Sequence, residues 1–169
     1  MAGATPKLIK ELREKSGAGM LDCKKALNAT DGKLEEAIKH LREAGLSKAA
    51  KKSSNVAAEG LISILVNEDQ TKVTMVELNS QTDFVAKNVN FLALKDEITA
   101  HVQATAVTST EELNKTELNG VNFEEYLNSR IAIIGENIVA RKMTTVSTDT
   151  GVVNGYVLLH QIGKGSFGV

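Results

Sequence analysis

Cys23 and His40 are the side chains that could act together as a nucleophile and its general base. A thiol is activated when an imidazole lies within hydrogen-bond reach and a third group orients that imidazole. No such third group is evident, so we expect Cys23 to be a half-buried structural residue. His40, His101 and His160 lie about 60 positions apart and lack acidic or cysteine companions at ligand spacing. The sequence therefore predicts no metal site.

The segment GKGSFG contains Gly163, Gly165 and Gly168 at the spacing GxGxxG. Such glycines can cradle phosphates when a strand precedes them and catalytic partners follow. The longer segment HQIGKGSFGV resembles the glycine-rich loop of protein kinases, but the lysine and aspartates that a kinase site requires are missing. We predict no phosphate site here, and we interpret this end of the chain as truncated, fused or mis-joined.

The segment NSQTDFVAKN, residues 79–88, places the acid Asp83 beside the aromatic Phe84 after a run of strand character. By residue type alone, Thr82 or Asp83 caps a short helix and Phe84 fills a gap in the core. The alternative is that Phe84 is exposed on a loop and inserts into another protein. The residues by themselves favour the first interpretation.

Met20 and Leu21 follow a tight turn that contains Gly17 and Gly19. Composition favours burial of both side chains in the core of a helical bundle. The alternative is an exposed apolar corner for a partner protein, a role to which a flexible methionine is suited.

The composition limits the kind of protein that the sequence can encode. The 169 residues are 42% apolar and 24% charged, which is ordinary for one large or two small globular domains. Aromatic residues make up 4%, Trp is absent and the net charge is −1, so we expect neither nucleic acid nor a membrane as a direct partner. The lone cysteine fits a reducing compartment. We find no signal peptide or membrane span, so we expect a cytosolic location, with an organelle matrix as the alternative.

The first 45 residues predict three short helices. Thr5 and Pro6 begin the first helix and Gly17 ends it. Asp31 is predicted to cap the third helix, whose apolar residues recur at helical spacing until Gly45 ends it. The basic, polar segment LSKAAKKSSN that follows is typical of a linker.

The pattern changes after this segment. GLISILV and KVTMVELN predict a β-hairpin, and two helical segments follow, the first with Asn90 as its cap. VARKMTTVS and GVVNGYVLL then return to strand character. Helices and antiparallel strands in separate blocks predict an α+β fold, in which a three-helix bundle precedes an antiparallel sheet packed with helices.

Several segments in this order and spacing carry a family resemblance: ELREKSGAGMLDCKKAL, SKAAKKSSNVAAEG, NSQTDFVAKN and IGENIVARK. Together they resemble elongation factor Ts, the bacterial and organellar nucleotide-exchange factor for elongation factor Tu. The resemblance runs from about Ala4 to Tyr156. It implies Tu as the partner, a translation function in the bacterial cytoplasm, no cofactor, and exchange of a nucleotide without enzymatic covalent chemistry.

The resemblance also implies a domain organisation. Its parts are a bundle of the ubiquitin-associated type at 1–46, a basic linker at 47–56, an α+β core subdomain at 57–137, and the start of a second, truncated core subdomain at 138–169.

On the bundle, the resemblance assigns Arg13, Met20 and Leu21 to a motif that docks on the nucleotide domain of Tu. Most of the family has Met-Met where this chain has Met20 and Leu21, a change that conserves volume.

In the core, the resemblance assigns Thr82, Asp83, Phe84 and Val85 to the working tip of the family. Asp83 and Phe84 would enter between two helices of Tu near its Mg²⁺, displace the metal and release GDP.

The end of the chain departs from the family pattern. The family has a histidine close to a tyrosine, whereas here three residues separate Tyr156 from His160, the candidate counterpart for a partner contact. The second half of the family core and its helical hairpin are missing. Two hypotheses follow: an active exchange factor, which we prefer, and a truncated module that binds Tu without driving exchange.

Overall fold

The computed structural model describes residues 3–151 and 153, together with the backbone of 160–162 and 166–168. Its elements in chain order are α1 (Pro6–Ser16), α2 (Met20–Ala29), α3 (Leu34–Lys52), β1 (Glu59–Val66), β2 (Lys72–Ser80), α4 (Asp83–Ala86), α5 (Val89–Thr105), α6 (Thr110–Leu113), β3 (Glu117–Leu118), β4 (Val121–Asn122), α7 (Phe123–Ile134), β5 (Val139–Ser147), β6 (His160–Ile162) and β7 (Ser166–Gly168).

The N-terminal helices form the predicted bundle. The Thr5 hydroxyl accepts a hydrogen bond from Leu8 N at 3.3 Å, and Gly17 ends α1 in the left-handed conformation at φ 67°, as expected. Helices α1, α2 and α3 enclose a core of fully buried side chains: Leu12, Cys23, Ala26, Leu27 and Ala37.

The third helix is longer than predicted. It begins after Lys33 rather than at Asp31, which lies in the preceding turn at φ 52°. It continues through Gly45 to Lys52, so the predicted linker is helical up to that residue. Gly45 lies against α7, where an added Cβ would be 3.7 Å from the Ala132 Cβ. This is an ordinary contact distance, so the packing leaves room for a Cβ, and glycine at this place in the helix costs up to about 1 kcal/mol relative to alanine.

The strands β1, β2 and β5 form an antiparallel sheet with β2 in the centre. Met75 on β2 pairs with Ile64 on one side and with Thr144 on the other. A register shift between Glu77 and Leu78 interrupts the pairing of β2 with β5. These strands and the α+β fold class are as predicted.

Helices α5 and α7 pack with the sheet in the main core, whose largest fully buried members are Val76, Leu78, Phe91, Leu94, Ile98, Val102, Leu113, Phe123 and Ile138. Helix α5 begins after Asn88 rather than Asn90, because Asn88 Oδ1 accepts the Asn90 N–H at 2.8 Å. Strand β5 belongs to the same core, so its residues complete the sheet begun by β1 and β2. A second subdomain over 138–169 stays a prediction.

Most of the predicted C-terminal strand and part of the glycine loop lie outside the described residues. Strand β6 pairs with β7 in antiparallel fashion. The segment GVVNGYVLL, apart from Gly151 and Val153, together with Gly163 and Gly165, lies outside the described residues, and so does the side chain of His160.

Candidate functional site

Residues 81–87, which we call the tip, follow directly after β2. Thr82 is extended, with φ −127° and ψ 154°, as is typical of an N-cap residue. Its hydroxyl accepts a hydrogen bond from Val85 N at 3.4 Å and so caps the single turn of α4. The predicted short helix with a threonine cap is therefore present.

Phe84 projects outward from this turn. Its side chain is 81% exposed, whereas Ala86 is 5% exposed and Val85 packs against the main core. Successive residues of a helix point about 100° apart, so one turn can bury Val85 and Ala86 while presenting Phe84 to solvent. The interpretation that Phe84 fills a gap in the core is wrong, and the alternative of an exposed aromatic is correct.

Asp83 is paired with Lys87 one turn later. The Asp83 Oδ2 lies 2.9 Å from the Lys87 Nζ, and both side chains are exposed. The hydrogen bond from Lys87 lowers the pKa of Asp83, so the carboxylate is ionised at neutral pH. The tip thus presents an anionic carboxylate beside an aromatic ring.

Glu136, at the turn between α7 and β5, holds the tip from behind. Its Oε2 accepts the backbone N–H groups of Gln81 and Thr82, each at 3.1 Å. Its Oε1 accepts the Thr82 hydroxyl at 2.7 Å. Sequence reasoning gave Glu136 no role, and the one signal for it was its place in IGENIVARK, a segment that carries the resemblance.

Asn137 extends this support toward the end of α3. Its N–H donates to Gln81 Oε1 at 2.8 Å, and its Nδ2 donates to the Asn55 carbonyl at 2.8 Å. Asn55 Nδ2 in turn donates to Gln81 Oε1 at 3.1 Å. The tip, the α7–β5 turn and the segment after α3 therefore share one hydrogen-bond network.

Met20 and Leu21, which we call the corner, are exposed at the start of α2. Their exposed fractions are 59% and 73%, because the opposite face of α2 supplies Cys23, Ala26 and Leu27 to the bundle core. The interpretation that they are buried is wrong. Two large apolar side chains on one exposed turn form a surface suited to a partner protein.

Arg13 is exposed near the end of α1. Together with the Gly17–Gly19 turn it lines a cleft of about 840 Å³ between the bundle and α7. No hydrogen bond or ion pair among the described residues joins the Arg13, Met20 and Leu21 side chains to the tip. The structure therefore presents two separate surfaces on one framework.

Cys23 has a structural environment. It is fully buried rather than half-buried, and its thiol contacts the Ala18 carbonyl at 3.7 Å and the Ser16 hydroxyl at 3.9 Å. His40 is exposed. The thiol and the imidazole therefore do not form a catalytic pair.

Within the described ranges, no group of His, Cys, Asp and Glu side chains is arranged to hold a metal ion. Among the helices described, none combines the length and the apolar character needed to cross a bilayer.

Comparison with known proteins identifies the family. A family model described as Elongation factor TS matches residues 81–168, which include the tip, Glu136 and slightly more than half of the chain. Elongation factor Ts of Aliarcobacter butzleri is 60% identical over 164 residues, covering 97% of this chain and 46% of that protein. Elongation factor Ts of Campylobacter curvus is 55% identical over 161 residues, covering 95% of this chain and 45% of that protein.

A relative from Nitratiruptor, also named elongation factor Ts, is 52% identical over 157 residues, covering 92% of this chain and 51% of that protein. The chain thus spans about half the length of the curated relatives it matches. These matches agree with the resemblance that the tip and corner segments carry. The chain belongs to the elongation factor Ts family.

Proposed function

We propose that this chain binds elongation factor Tu, in its GDP-bound and nucleotide-free forms, and promotes release of GDP so that GTP can bind. The observation that carries the proposal is the 81% exposure of Phe84 on a tip whose backbone is fixed by hydrogen bonds. An exposed aromatic normally costs solubility, and its retention on an ordered turn suits insertion into another protein. Family membership supports the same function, in the bacterial cytoplasm.

In the proposed mechanism, Asp83 and Phe84 enter between two helices of Tu beside its Mg²⁺. A Mg²⁺ that bridges phosphates is usually the largest local charge in a nucleotide site, so disturbing its few ligands weakens nucleotide binding. Thr82 and Val85 act from behind the contact. Thr82 caps α4, and Val85 packs against the core, so both keep Phe84 in place.

The energetics require a second contact. Accelerating release by about three to five decades needs roughly 4–7 kcal/mol. Burial of one phenylalanine supplies about 1.5–3 kcal/mol. The corner, with Met20 and Leu21 exposed, and Arg13 on α1 supply the additional docking surface that holds Tu in its opened state.

The proposed reaction exchanges a bound ligand and breaks no covalent bond, so it needs neither a nucleophile nor a base. Linkage makes the effect reciprocal: if this chain weakens the binding of GDP to Tu, GDP weakens the binding of this chain by the same factor.

Stopped-flow release of a fluorescent GDP analogue from Tu tests the proposal. The unmodified chain should accelerate release by orders of magnitude, and Phe84→Ala should reduce that acceleration at least about tenfold, the loss expected for a central aromatic contact. Val89→Ala is the control, because Val89 is also apolar and 75% exposed but begins α5. If Tu releases GDP as fast with Phe84→Ala as with the unmodified chain, the proposed role of Phe84 is wrong.

The alternative function is a module that binds Tu without driving exchange. The observation that favours it is that the chain spans only 46% of its Aliarcobacter relative. Binding of the chain to Tu in a titration, with no acceleration of GDP release, would establish this alternative.

A further inference from the structure

We propose that Glu136 is a positioning residue for the tip, and that it sets the rate of nucleotide release through Thr82 without touching the partner. This inference rests on the proposed exchange function. It attributes the fixed geometry of the tip to a carboxylate that comes after both α5 and α7 in the sequence.

Both oxygens of the Glu136 carboxylate are used. Oε2 accepts two successive backbone N–H groups, from Gln81 and Thr82, and Oε1 accepts the Thr82 hydroxyl. These N–H groups lie between the end of β2 and the start of α4, where neither the sheet nor the helix supplies a backbone acceptor. A carboxylate that accepts several N–H groups forms charge-assisted bonds, which are the stronger class.

The local backbone directs Glu136 toward the tip. Gly135 ends α7 in the left-handed conformation at φ 90°, and its N–H donates to the Ile131 carbonyl at 2.8 Å. The chain therefore turns sharply just before Glu136. The Asn137 N–H then donates to Gln81 Oε1 at 2.8 Å. The adjacent residues Glu136 and Asn137 therefore hold the adjacent tip residues Gln81 and Thr82.

This arrangement reduces the ordering that insertion would otherwise require. A single four-residue turn has little stability of its own, because helix nucleation is unfavourable. Glu136 and Thr82 hold that turn before the partner arrives, so less conformational freedom is lost on binding. Without Glu136, Phe84 would sample many positions, and its insertion would be slower or less complete.

The test compares Glu136→Ala and Glu136→Gln with Glu112→Ala in the full 169-residue chain. Glu112 is a matched control, because its Oε2 also accepts the N–H and the hydroxyl of a threonine, Thr108, beside another four-residue helix. Glutamine retains an oxygen for the two N–H groups, and its amide group can donate to the Thr82 hydroxyl oxygen. Its oxygen carries no full charge, so the hydrogen bonds are weaker, and Glu136→Gln should rescue part of the function and leave a measurable loss.

Two readouts separate positioning from folding. Amide hydrogen exchange reports protection of the Gln81 and Thr82 N–H groups, and circular dichroism reports whether each variant folds. Stopped-flow release of the GDP analogue at saturating concentration of the chain reports the exchange step apart from affinity. We expect Glu136→Ala to lose the amide protection and to slow release by about ten- to a hundredfold, as for a misplaced active group. Glu112→Ala should change neither readout.

Unchanged amide protection in folded Glu136→Ala would overturn the inference and leave the proposed function intact. Normal GDP release with Glu136→Ala, beside defective release with Phe84→Ala, would also overturn it. Should Glu136→Ala not fold, weaker protection and slower release in Glu136→Gln than in the unmodified chain support the inference, and two unchanged readouts overturn it. If Tu releases GDP normally with Phe84→Ala, the proposed role of the tip in exchange is wrong, and the inference about Glu136 fails with it.

Discussion

Thr82 and Glu136 lie 54 positions apart, yet Thr82 Oγ1 donates a hydrogen bond of 2.7 Å to Glu136 Oε1. The same hydroxyl oxygen accepts the N–H of Val85 at 3.4 Å. One side chain therefore caps α4 and also ties it to the turn that follows α7. This double use explains how Phe84 can be exposed and still be held in a defined place.

Replacement of Thr82 by Val should lower the free energy of unfolding by about 1–2 kcal/mol, because the cap of α4 is lost. Valine matches threonine in shape, so the change removes hydrogen bonds and little packing. Urea unfolding measures the effect. Thr82→Ser, which keeps the hydroxyl, should stay within about 0.5 kcal/mol of the unmodified chain. Equal stability of the Val and Ser variants would contradict the capping role.

Replacement of both corner residues, Met20→Ala with Leu21→Ala, should weaken binding to Tu by at least about tenfold if the corner is a docking surface. Stability should change by no more than about 0.5 kcal/mol per residue, because both side chains are exposed. Calorimetric titration with Tu·GDP measures the affinity. Ile64→Ala is the control, since Ile64 is 52% exposed on β1. Normal affinity in the double variant would remove the corner from the proposed interface.

Substitutions at Gly45 should change the stability of the chain in opposite directions, according to the size of the new side chain. An alanine Cβ would lie at ordinary contact distance from Ala132, 3.7 Å, so Gly45→Ala should stabilise the chain by about 0.5–1 kcal/mol through helix propensity. Gly45→Leu should force α3 away from α7 and cost about 1–3 kcal/mol. Thermal or urea unfolding distinguishes the two. A leucine variant as stable as the alanine variant would show that the helices do not pack closely here.

His101 should make stability fall as the pH is lowered. Its ring stacks on Phe123 with centroids 6.0 Å apart, its Nε2 donates to Thr116 Oγ1 at 2.7 Å, and burial lowers its pKa below the ordinary 6.5. The unfolded chain therefore binds a proton at His101 more readily than the folded chain does. The stability that neutral His101 contributes above pH 6.5 is lost as the pH falls toward the lower pKa of the folded state.

Urea unfolding at about pH 7.5 and pH 5.5, on either side of the ordinary histidine pKa, measures this effect. His101→Gln should lose less stability than the unmodified chain over that interval. The carboxylates with lowered pKa, Asp69, Asp83 and Glu112, titrate below this window and do not interfere. An equal loss in both chains would contradict a role for His101.

The sequence by itself determined the elements whose signals are local. Thr5 and Pro6 begin α1 and Gly17 ends it, as their preferences for caps and turns predict. The segment VARKMTTVS coincides with β5, residues Val139–Ser147. Such signals depend on a residue and its near neighbours, so they survive whatever the rest of the chain does. The ordered series of motifs determined the family in the same way.

Only the tertiary structure decided how distant parts of the chain use these elements. Gly45 resembles a helix end in the sequence, but its contact with α7 keeps it inside α3. Phe84 resembles a core residue, but Val85 and Ala86 already occupy the inward positions beside it. The role of Glu136 depends on a fold that brings residues 54 positions apart into contact. Residue preferences describe average environments, whereas exposure and long-range hydrogen bonds depend on the space that the packed elements leave.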